Sequence, residues 1–434
     1  MKPTVQIAVV QLWGNRVGAV GLDEFGNGIF EYDPEFLKLG LDIAPITMSL
    51  DNARREPKYS FPALQPETFK RLPGLLADAL PDKFGQAIID TWLARQGRGP
   101  EDFSIIERLC YTGTRAMGAL EFQPTSTGNM ETPVNIELDK IVTLVREVIK
   151  QRTNLDVTLT DDGDANQEAL INILVVGTSA GGARAKAVIA YNEKTGQVMS
   201  GQAEAPPGFE HWLLKFDGAS DIELGETEDF GRVEYAYYLM AKAAGIQMMK
   251  SQLLEENGRA HFMTQRFDRV NGEKLHMQSL CAIAHYDFNM PGAYGYEQAI
   301  MIMRQMRLSK KEQLELFRRM VFNVVARNQD DHTKNIAFLM NPKGKWSLSP
   351  AFDMTYSHNP KGQWTSQHQM SVNGKRDNFK REDLLAVAHV SDLKHADKVI
   401  DEVLNAVNNW ADYADKAVLD ETRMQAIKKQ HRIL

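Results

Sequence analysis

The sequence predicts an α+β protein of more than one domain, and three observations carry that expectation. Strand and helix patterns alternate over residues 1–125, a run of strands extends from Ile171 to about Phe216, and helical patterns dominate from "FGRVEYAYYLMAKAAGI" onward. With 434 residues, 43% hydrophobic and 25% charged, the chain has the length for two or three domains and a composition that fills a large core.

At the N-terminus "VQIAVVQLW", "RVGAVGLD" and "NGIFEYD" read as strands, while "ETFKRLPGLLADAL" and "DKFGQAIIDTWLARQG" read as helices. The opening apolar run is short and broken by Gln11, so it is a first strand rather than a secretory signal or a membrane anchor. Residues 124–134, "PTSTGNMETPV", carry the Pro, Ser, Thr and Gly of a domain boundary. A helix is expected over "NIELDKIVTLVREVIKQ", then an acidic polar stretch, "DVTLTDDGDANQE", and then the run of strands. Further strands interrupt the helical half at "HFMTQRFDRV" and "NIAFLM", and the last stretch of the chain reads as amphipathic helices.

The formal net charge of −7 excludes general electrostatic binding of the chain alone to nucleic acid, whose phosphates are neutralised by lysines and arginines. Any DNA role would need a basic partner. Cys110 and Cys281 are too few and too far apart for a disulfide framework or a Cys-rich zinc site, which fits a reduced cytoplasmic setting.

"NILVVGTSAGGARAKAVIAYN" runs strand, glycine-rich loop, strand. Gly177, Gly181 and Gly182 free backbone N–H groups to approach an anion, and Ser179 adds a donor. The phosphate-binding pattern G-x-x-x-x-G-K-[ST] fails at Ala183, and "KAVIAY" alternates like a strand where a P-loop would feed a helix. A plain hairpin turn competes with an anion cradle. Lys215 lies in the apolar strand "HWLLKFDG", where an ammonium needs an anion, and Glu234 follows in a helix. A strand lysine with a helix glutamate is the arrangement kinases use at the nucleotide phosphates; a snorkelling lysine and a solvated glutamate are the bland alternative.

Residues 327–339, "RNQDDHTKNIAFL", follow a helix whose apolar face holds Leu314, Phe317, Met320, Val321 and Val324, and run into an apolar strand. Asp330 and Asn335 have the D-x-x-x-x-N spacing of a kinase catalytic loop, in which the aspartate receives the acceptor hydroxyl and the asparagine helps hold magnesium. Asp353, in "WSLSPAFDMTYS", stands where a second, metal-bridging aspartate belongs. His332 follows Asp330 in place of a preceding His-Arg, and no glycine follows Asp353, so the pattern is that of atypical phosphotransferases. A zinc site from Asp330, Asp331 and His332 is the rival, and it lacks a second ligand cluster.

Together "TSAGGARAKA", "LLKF", "VEYAYYLMAKAAGI", "TQRFDR", "LHMQSLCAI", "RNQDDHTKN" and "LSPAFDM", with "LADALPDKFG" and "TGTRAMGALEF" nearer the N-terminus, make a set that resembles the HipA serine/threonine kinases of toxin-antitoxin modules over nearly the whole chain. The resemblance implies a kinase-like bilobal core, with a mixed N-lobe over residues 135–270 and a helical C-lobe over 271–434, behind an N-terminal α+β subdomain over 1–125. It implies Asp330 as the catalytic aspartate, Asn335 and Asp353 as Mg2+ ligands, and Lys215 as a contact to the ATP phosphates. It extends the ATP-binding set to Ser179, Ala180, Gly181, Gly182, Ala183, Lys186, Glu234, His332 and Lys334, with Gln265 and Phe267 offering main-chain contacts to adenine and Gln278 near the ribose. Gln265 stands where the family usually has Glu, and "GGARAK" departs from the usual loop. The resemblance further implies autophosphorylation at Ser179, with Thr178 as a competitor, a HipB-like helix-turn-helix antitoxin that mediates contact with operator DNA, and a protein substrate, with an aminoacyl-tRNA synthetase as candidate. A small-molecule phosphotransferase and an antitoxin-bound corepressor with a regulatory ATP site are the alternatives.

Overall fold

The structure, a computed structural model, describes residues 5–124 apart from positions 82–84, 87, 88, 91, 92, 94–96, 98, 100 and 101, residues 185–217 apart from 202 and 203, and residues 229–434 apart from 257 and 271. The expected boundary after residue 124, the helix over "NIELDKIVTLVREVIKQ" and the glycine-rich loop lie outside the described residues. Two compact units make up the chain: Met1–Phe36, Ala79–Gly231 and Lys250–Leu275 form one, and Leu37–Asp78, Arg232–Met249 and His276–Leu434 the other. The expected α+β class is the class observed.

In the first unit β1 (Ile7–Leu12) pairs antiparallel with β2 (Asn15–Leu22), and β2 with β3 (Gly28–Tyr32). Trp13 and Gly14, with φ of 49° and 74°, form the two-residue turn between β1 and β2, the primed geometry that matches strand twist. Ala8, Val10 and Leu12 are buried while Ile7 is exposed, the period of two expected of a half-buried strand. β4 (Leu120–Gln123) adds to the other side of β1. Helix α1 (Ile105–Thr112) starts at a capping box between Ser104 and Glu107 and buries Ile106, Leu109 and Cys110.

A second sheet of the same unit is antiparallel throughout. It comprises β5 (Lys186–Tyr191), β6 (Val198–Ser200), β7 (Glu210–Lys215), β8 (Ser251–Glu256) and β9 (Arg259–Gln265), in the order β6-β5-β7-β9-β8. Ile189, Trp212, Leu214 and Met263 share one buried face of it, and Val188 is buried on the other. Gly231 crosses β9 closely enough that a Cβ there would meet the Ala260 carbonyl oxygen at 1.9 Å, so only glycine fits. Beyond β9, Asp268 binds Arg266 at 2.9 and 2.7 Å and Arg269 at 2.8 Å, and accepts the Gly118 N–H at 2.7 Å. Burial alone would push this carboxyl up, but the two guanidiniums hold it well below the usual carboxylate range.

The second unit is built on one large apolar core. Its elements are α2 (Phe230–Ala243) from Arg232 onward, the three-stranded sheet β10 (His276–Ser279), β11 (Ala337–Met340) and β12 (Trp346–Leu348), and helices α3 (Tyr296–Gln305), α4 (Lys310–Val325), α5 (Arg381–Val390), α6 (Ala396–Asn408), α7 (Trp410–Lys416) and α8 (Glu421–Lys428). α4 is capped by Ser309 with Glu312 and buries Phe317, Met320, Val321 and Val324 as the spacing predicts. Leu314 is only partly buried, and Leu316 takes the core position, because the helix is packed on more than one side. The helix expected over "ETFKRLPGLLADAL" is instead two single turns, Pro66–Phe69 and Gly74–Ala77. Lys70 and Arg71 adopt left-handed φ of 51° and 62° between them, and Pro73 cannot continue a helix.

Candidate active site

β11 and β12 pair antiparallel, with Phe338 opposite Leu348 and Met340 opposite Trp346. The residues that enter β11 and those that leave β12 therefore sit at one end of the sheet, and the Ser349 N–H closes that end onto the Ala337 carbonyl at 2.9 Å. Hairpin geometry thus brings the loop ahead of β11, which carries Asp330 and Asn335, beside the segment that carries Asp353. Three bonds stitch them: Gln329 N–H to the Ser357 carbonyl at 3.2 Å, Ser357 N–H to the Arg327 carbonyl at 3.1 Å, and the Asn328 side-chain amide to the Asp353 carbonyl at 3.3 Å. Asp353 itself has φ of 52°, the left-handed region that aspartate tolerates better than most residues and that recurs at functional sites.

Within the loop the two aspartates are used differently. The side chain of Asp330 is 48% exposed, and among the described residues its one ionic neighbour is His332 Nε2 at 4.0 Å. Asp331 is 1% exposed and accepts hydrogen bonds from the Tyr296 hydroxyl at 2.9 Å, His368 Nδ1 at 2.9 Å and the Gln369 N–H at 2.8 Å. That environment pushes the Tyr296 hydroxyl far up, through burial and then the Asp331 charge. Asn335 donates its side-chain amide N–H to the Asp330 carbonyl at 2.8 Å, a bond that occupies the nitrogen and not Oδ1. A single 3-10 turn, Thr333–Asn335, sets the spacing, and the Thr333 hydroxyl anchors it to the Tyr286 carbonyl at 2.7 Å. Lys334 lies 5.2 Å from the centroid of the Phe288 ring, which also packs on His332 at 5.4 Å. The structure so brings together Asp330, His332, Lys334, Asn335 and Asp353.

The rival zinc reading is not supported by this arrangement. Both oxygens of Asp331 are committed to protein donors, and among the described residues no group of three or more His, Cys, Asp or Glu could hold a metal by itself.

Gln278 is fully buried in β10, and its amide donates to the Ile43 carbonyl. The side chain therefore faces the protein interior and offers nothing at the surface to a ribose. Glu234 is buried in α2, 3% exposed. In the first unit, Lys186 and Lys215 stand directly opposite each other across β5 and β7, with Phe262 opposite Lys215 on the other side. Opposed positions share a sheet face, so the two lysine side chains leave the same side of the sheet, Lys186 only 2% exposed and Lys215 with its Nζ 5.8 Å from the Phe262 ring centroid. Adjacent like charges repel unless anionic groups balance them. Gln265 ends β9, and its N–H is spent on the Lys250 carbonyl at 2.9 Å, so a main-chain contact from it would use its carbonyl; Phe267 follows, half-buried. Ser179, Ala180, Gly181, Gly182 and Ala183, with Thr178, lie outside the described residues.

Sequence reasoning missed the groups that hold the loop from behind, Tyr296, His368, Gln369 and Arg432. No local pattern marks them, and the one available signal was a second aspartate beside Asp330, which needs partners if it is buried.

Comparison with known proteins places the chain in a family. The HipA N-terminal domain matches residues 8–123, and the HipA-like C-terminal domain matches residues 178–411. A relative named "Putative kinase Y4mE", from Sinorhizobium fredii, is 23% identical over 379 residues, covering 80% of this chain and 77% of that protein. Among solved structures, HipA of the Shewanella oneidensis MR-1 toxin-antitoxin system, in complex with HipB and its operator DNA, has a similar fold. It superposes with a TM-score of 0.64 at 16% identity, covering 98% of this chain and 95% of that one.

Proposed function

The chain belongs to the HipA family, with a kinase-like fold, and from that premise we propose that it is a Mg-ATP-dependent serine/threonine protein kinase, the toxin of a toxin-antitoxin module. One observation carries the reading: a half-exposed carboxylate, Asp330, on a loop fixed on both sides, with the oxygen ligands Asn335 and Asp353 brought to the same end of the sheet.

The residues present fit the cofactor. Mg2+ takes hard oxygen ligands and is typically held by one or two carboxylates together with substrate phosphates rather than by an all-protein cage. Asn335 Oδ1 and the Asp353 carboxylate are such a set, and the bond from the Asn335 amide nitrogen to the Asp330 carbonyl leaves its oxygen for the ion. When bound, magnesium neutralises charge on the oxygens of the transferred phosphoryl group. The chain's own contribution is positioning and proton management. Asp330 receives the hydrogen bond, and at transfer the proton, of the acceptor hydroxyl. Lys215 and Lys186 supply paired positive charge suited to nucleotide phosphates, with Gln265 and Phe267 as the adenine-side main chain. His332 and Lys334, braced by Phe288, border Asp330, and the Lys334 ammonium adds positive charge for the phosphates.

We place autophosphorylation at Ser179 in the glycine-rich loop, where a phosphate adds up to about two negative charges beside the nucleotide phosphates and disfavours ATP binding. A HipB-like helix-turn-helix protein would supply the basic surface that a chain of net charge −7 lacks, and carry it to operator DNA. No described helix is long and apolar enough to cross a membrane. The protein substrate is taken to be a cellular protein with a reactive serine or threonine, and an aminoacyl-tRNA synthetase is the candidate to try first.

Brief expression followed by phosphoproteomics, with Asp330→Asn as control, tests the reading. New phosphoserine or phosphothreonine sites in wild type alone support it, while identical phosphoproteomes in the two strains overturn it. Intact-mass spectrometry of the purified protein with Mg-ATP tests the Ser179 step: one added phosphate within residues 177–186, absent in Asp330→Asn, is expected.

A further inference from the structure

Asp331 is the inner end of a chain of buried polar groups that runs to Arg432. Its partner His368 is fully buried, and on the far side of that ring Nε2 lies 2.9 Å from the Arg432 guanidinium. A guanidinium can only donate, so Nε2 is the acceptor and the ring proton sits on Nδ1, directed at Asp331. Arg432 is itself fixed at four points. Its guanidinium donates to the Val324 carbonyl at 2.7 Å and to the Asp377 carboxylate, its plane lies 5.1 Å from the Phe379 ring centroid, and its own N–H donates to the Val325 carbonyl at 2.9 Å. Val324 and Val325 are the last residues of α4, the helix that delivers the chain into the catalytic loop.

Arg327 closes the circuit at the first residue of that loop, bonding the Gln430 carbonyl at 2.8 Å and facing Asp377 at 3.6 Å. Next along, the Tyr237 hydroxyl donates to the Ala326 carbonyl at 2.6 Å and meets His431 Nε2 at 3.1 Å. Two arginines and two aspartates balance, with His368 neutral between them. Residues 430–432 therefore touch the loop's entry through α4 and Arg327, and its centre through His368 and Asp331.

We propose that Arg432 is a positioning residue for phosphoryl transfer: acting through His368 and Asp331, it holds the backbone on which Asp330 presents its carboxylate. The role rests on the kinase reading. Asp330 and Asp331 share a peptide bond, so a shift in the buried carboxylate is passed directly to the exposed one, and small misplacements of a reacting group are costly. ATP contacts are not part of the chain from Arg432 to Asp331, and the effect should fall on turnover rather than on nucleotide binding.

The test compares Arg432→Met and Arg432→Lys with wild type by autophosphorylation and substrate turnover, by calorimetry with Mg-ATP, and by nitrogen-15 NMR of the imidazoles. In Arg432→Met, kcat should fall by about tenfold or more while the ATP dissociation constant changes by less than about threefold. Arg432→Lys, which keeps one donor for His368, should lie between. In wild type, His368 should be the Nδ1-protonated tautomer, and in Arg432→Met that preference should weaken. Turnover unchanged in Arg432→Met, ATP affinity and turnover lost together, or a wild-type ring protonated on Nε2 would each overturn the proposal. A wild-type protein without transferase activity overturns the kinase reading and the positioning role with it, and the imidazole spectrum then shows separately whether the chain of bonds itself was right.

Discussion

Asp330 and Asp331 are consecutive residues with opposite environments: the first carboxylate is 48% exposed, and the second is 1% exposed and held by Tyr296, His368 and Gln369. One is available for chemistry and the other for anchorage, and substitutions at the two positions should separate these roles. Asp330→Asn is expected to lower transferase activity by about 100-fold or more with little change in thermal midpoint. Asp331→Ala leaves buried donors unpaired and should cost about 3–5 kcal/mol of stability. Thermal unfolding beside an activity assay decides it, and a stable, active Asp331→Ala would show that the buried contacts carry no weight.

Nucleotide binding should divide along the same loops. Asp353 is assigned to the metal and Asp330 to the acceptor hydroxyl, so Asp353→Asn should weaken magnesium-dependent ATP binding by about tenfold or more while Asp330→Asn largely spares it. Calorimetry with and without magnesium reads this directly. Equal losses in the two variants would refute the division.

In the first unit, Asp268 is fully buried between Arg266 and Arg269. Replacing it by Asn leaves two buried guanidiniums without their counter-charge, and the expected cost is about 3–5 kcal/mol. Denaturant unfolding of the variant checks this. Retention of the wild-type midpoint would mean that water enters and screens the pair.

Acid should destabilise the second unit before its carboxylates titrate. Burial pushes His276, His285 and His431 down from an ordinary 6.5 to about 4. Between those values the unfolded chain holds the extra protons, so stability is full above the unfolded value, falls as pH drops from 6.5 toward 4, and levels off below the folded values. A tenfold difference in proton affinity between the folded and unfolded chain corresponds to about 1.4 kcal/mol, which bounds what each ring loses per pH unit crossed. The thermal midpoint should therefore drop between pH 7 and pH 4.5, and less so in His285→Phe. A midpoint flat across that range would contradict the buried, neutral state of these rings.

The strands "VQIAVVQLW" and "KAVIAY" and the helices "VEYAYYLMAKAAG" and "KKEQLELFRRMVFNVV" were all legible, because each rests on periodicity within one element. The sequence was less informative where burial decides. Gln278 lies in a stretch that fits a nucleotide contact, yet its side chain is fully enclosed and bonded to Ile43, 235 residues away. Apolar spacing in "ETFKRLPGLLADAL" favours a single helix, yet the chain breaks ahead of Pro73.

By itself the sequence determined the elements and the chemical inventory of the loop, since local propensity, turn chemistry and short spacings act between neighbours in the chain. Only the tertiary structure decided which of two adjacent aspartates is exposed, and which residues hold the other. Asp331 meets His368 across 37 residues, and Arg432 meets Val324 across 108. Contacts at such separations leave no periodic trace. They exist because a buried charge is costly until the fold delivers its hydrogen-bond partners, whatever their distance along the chain.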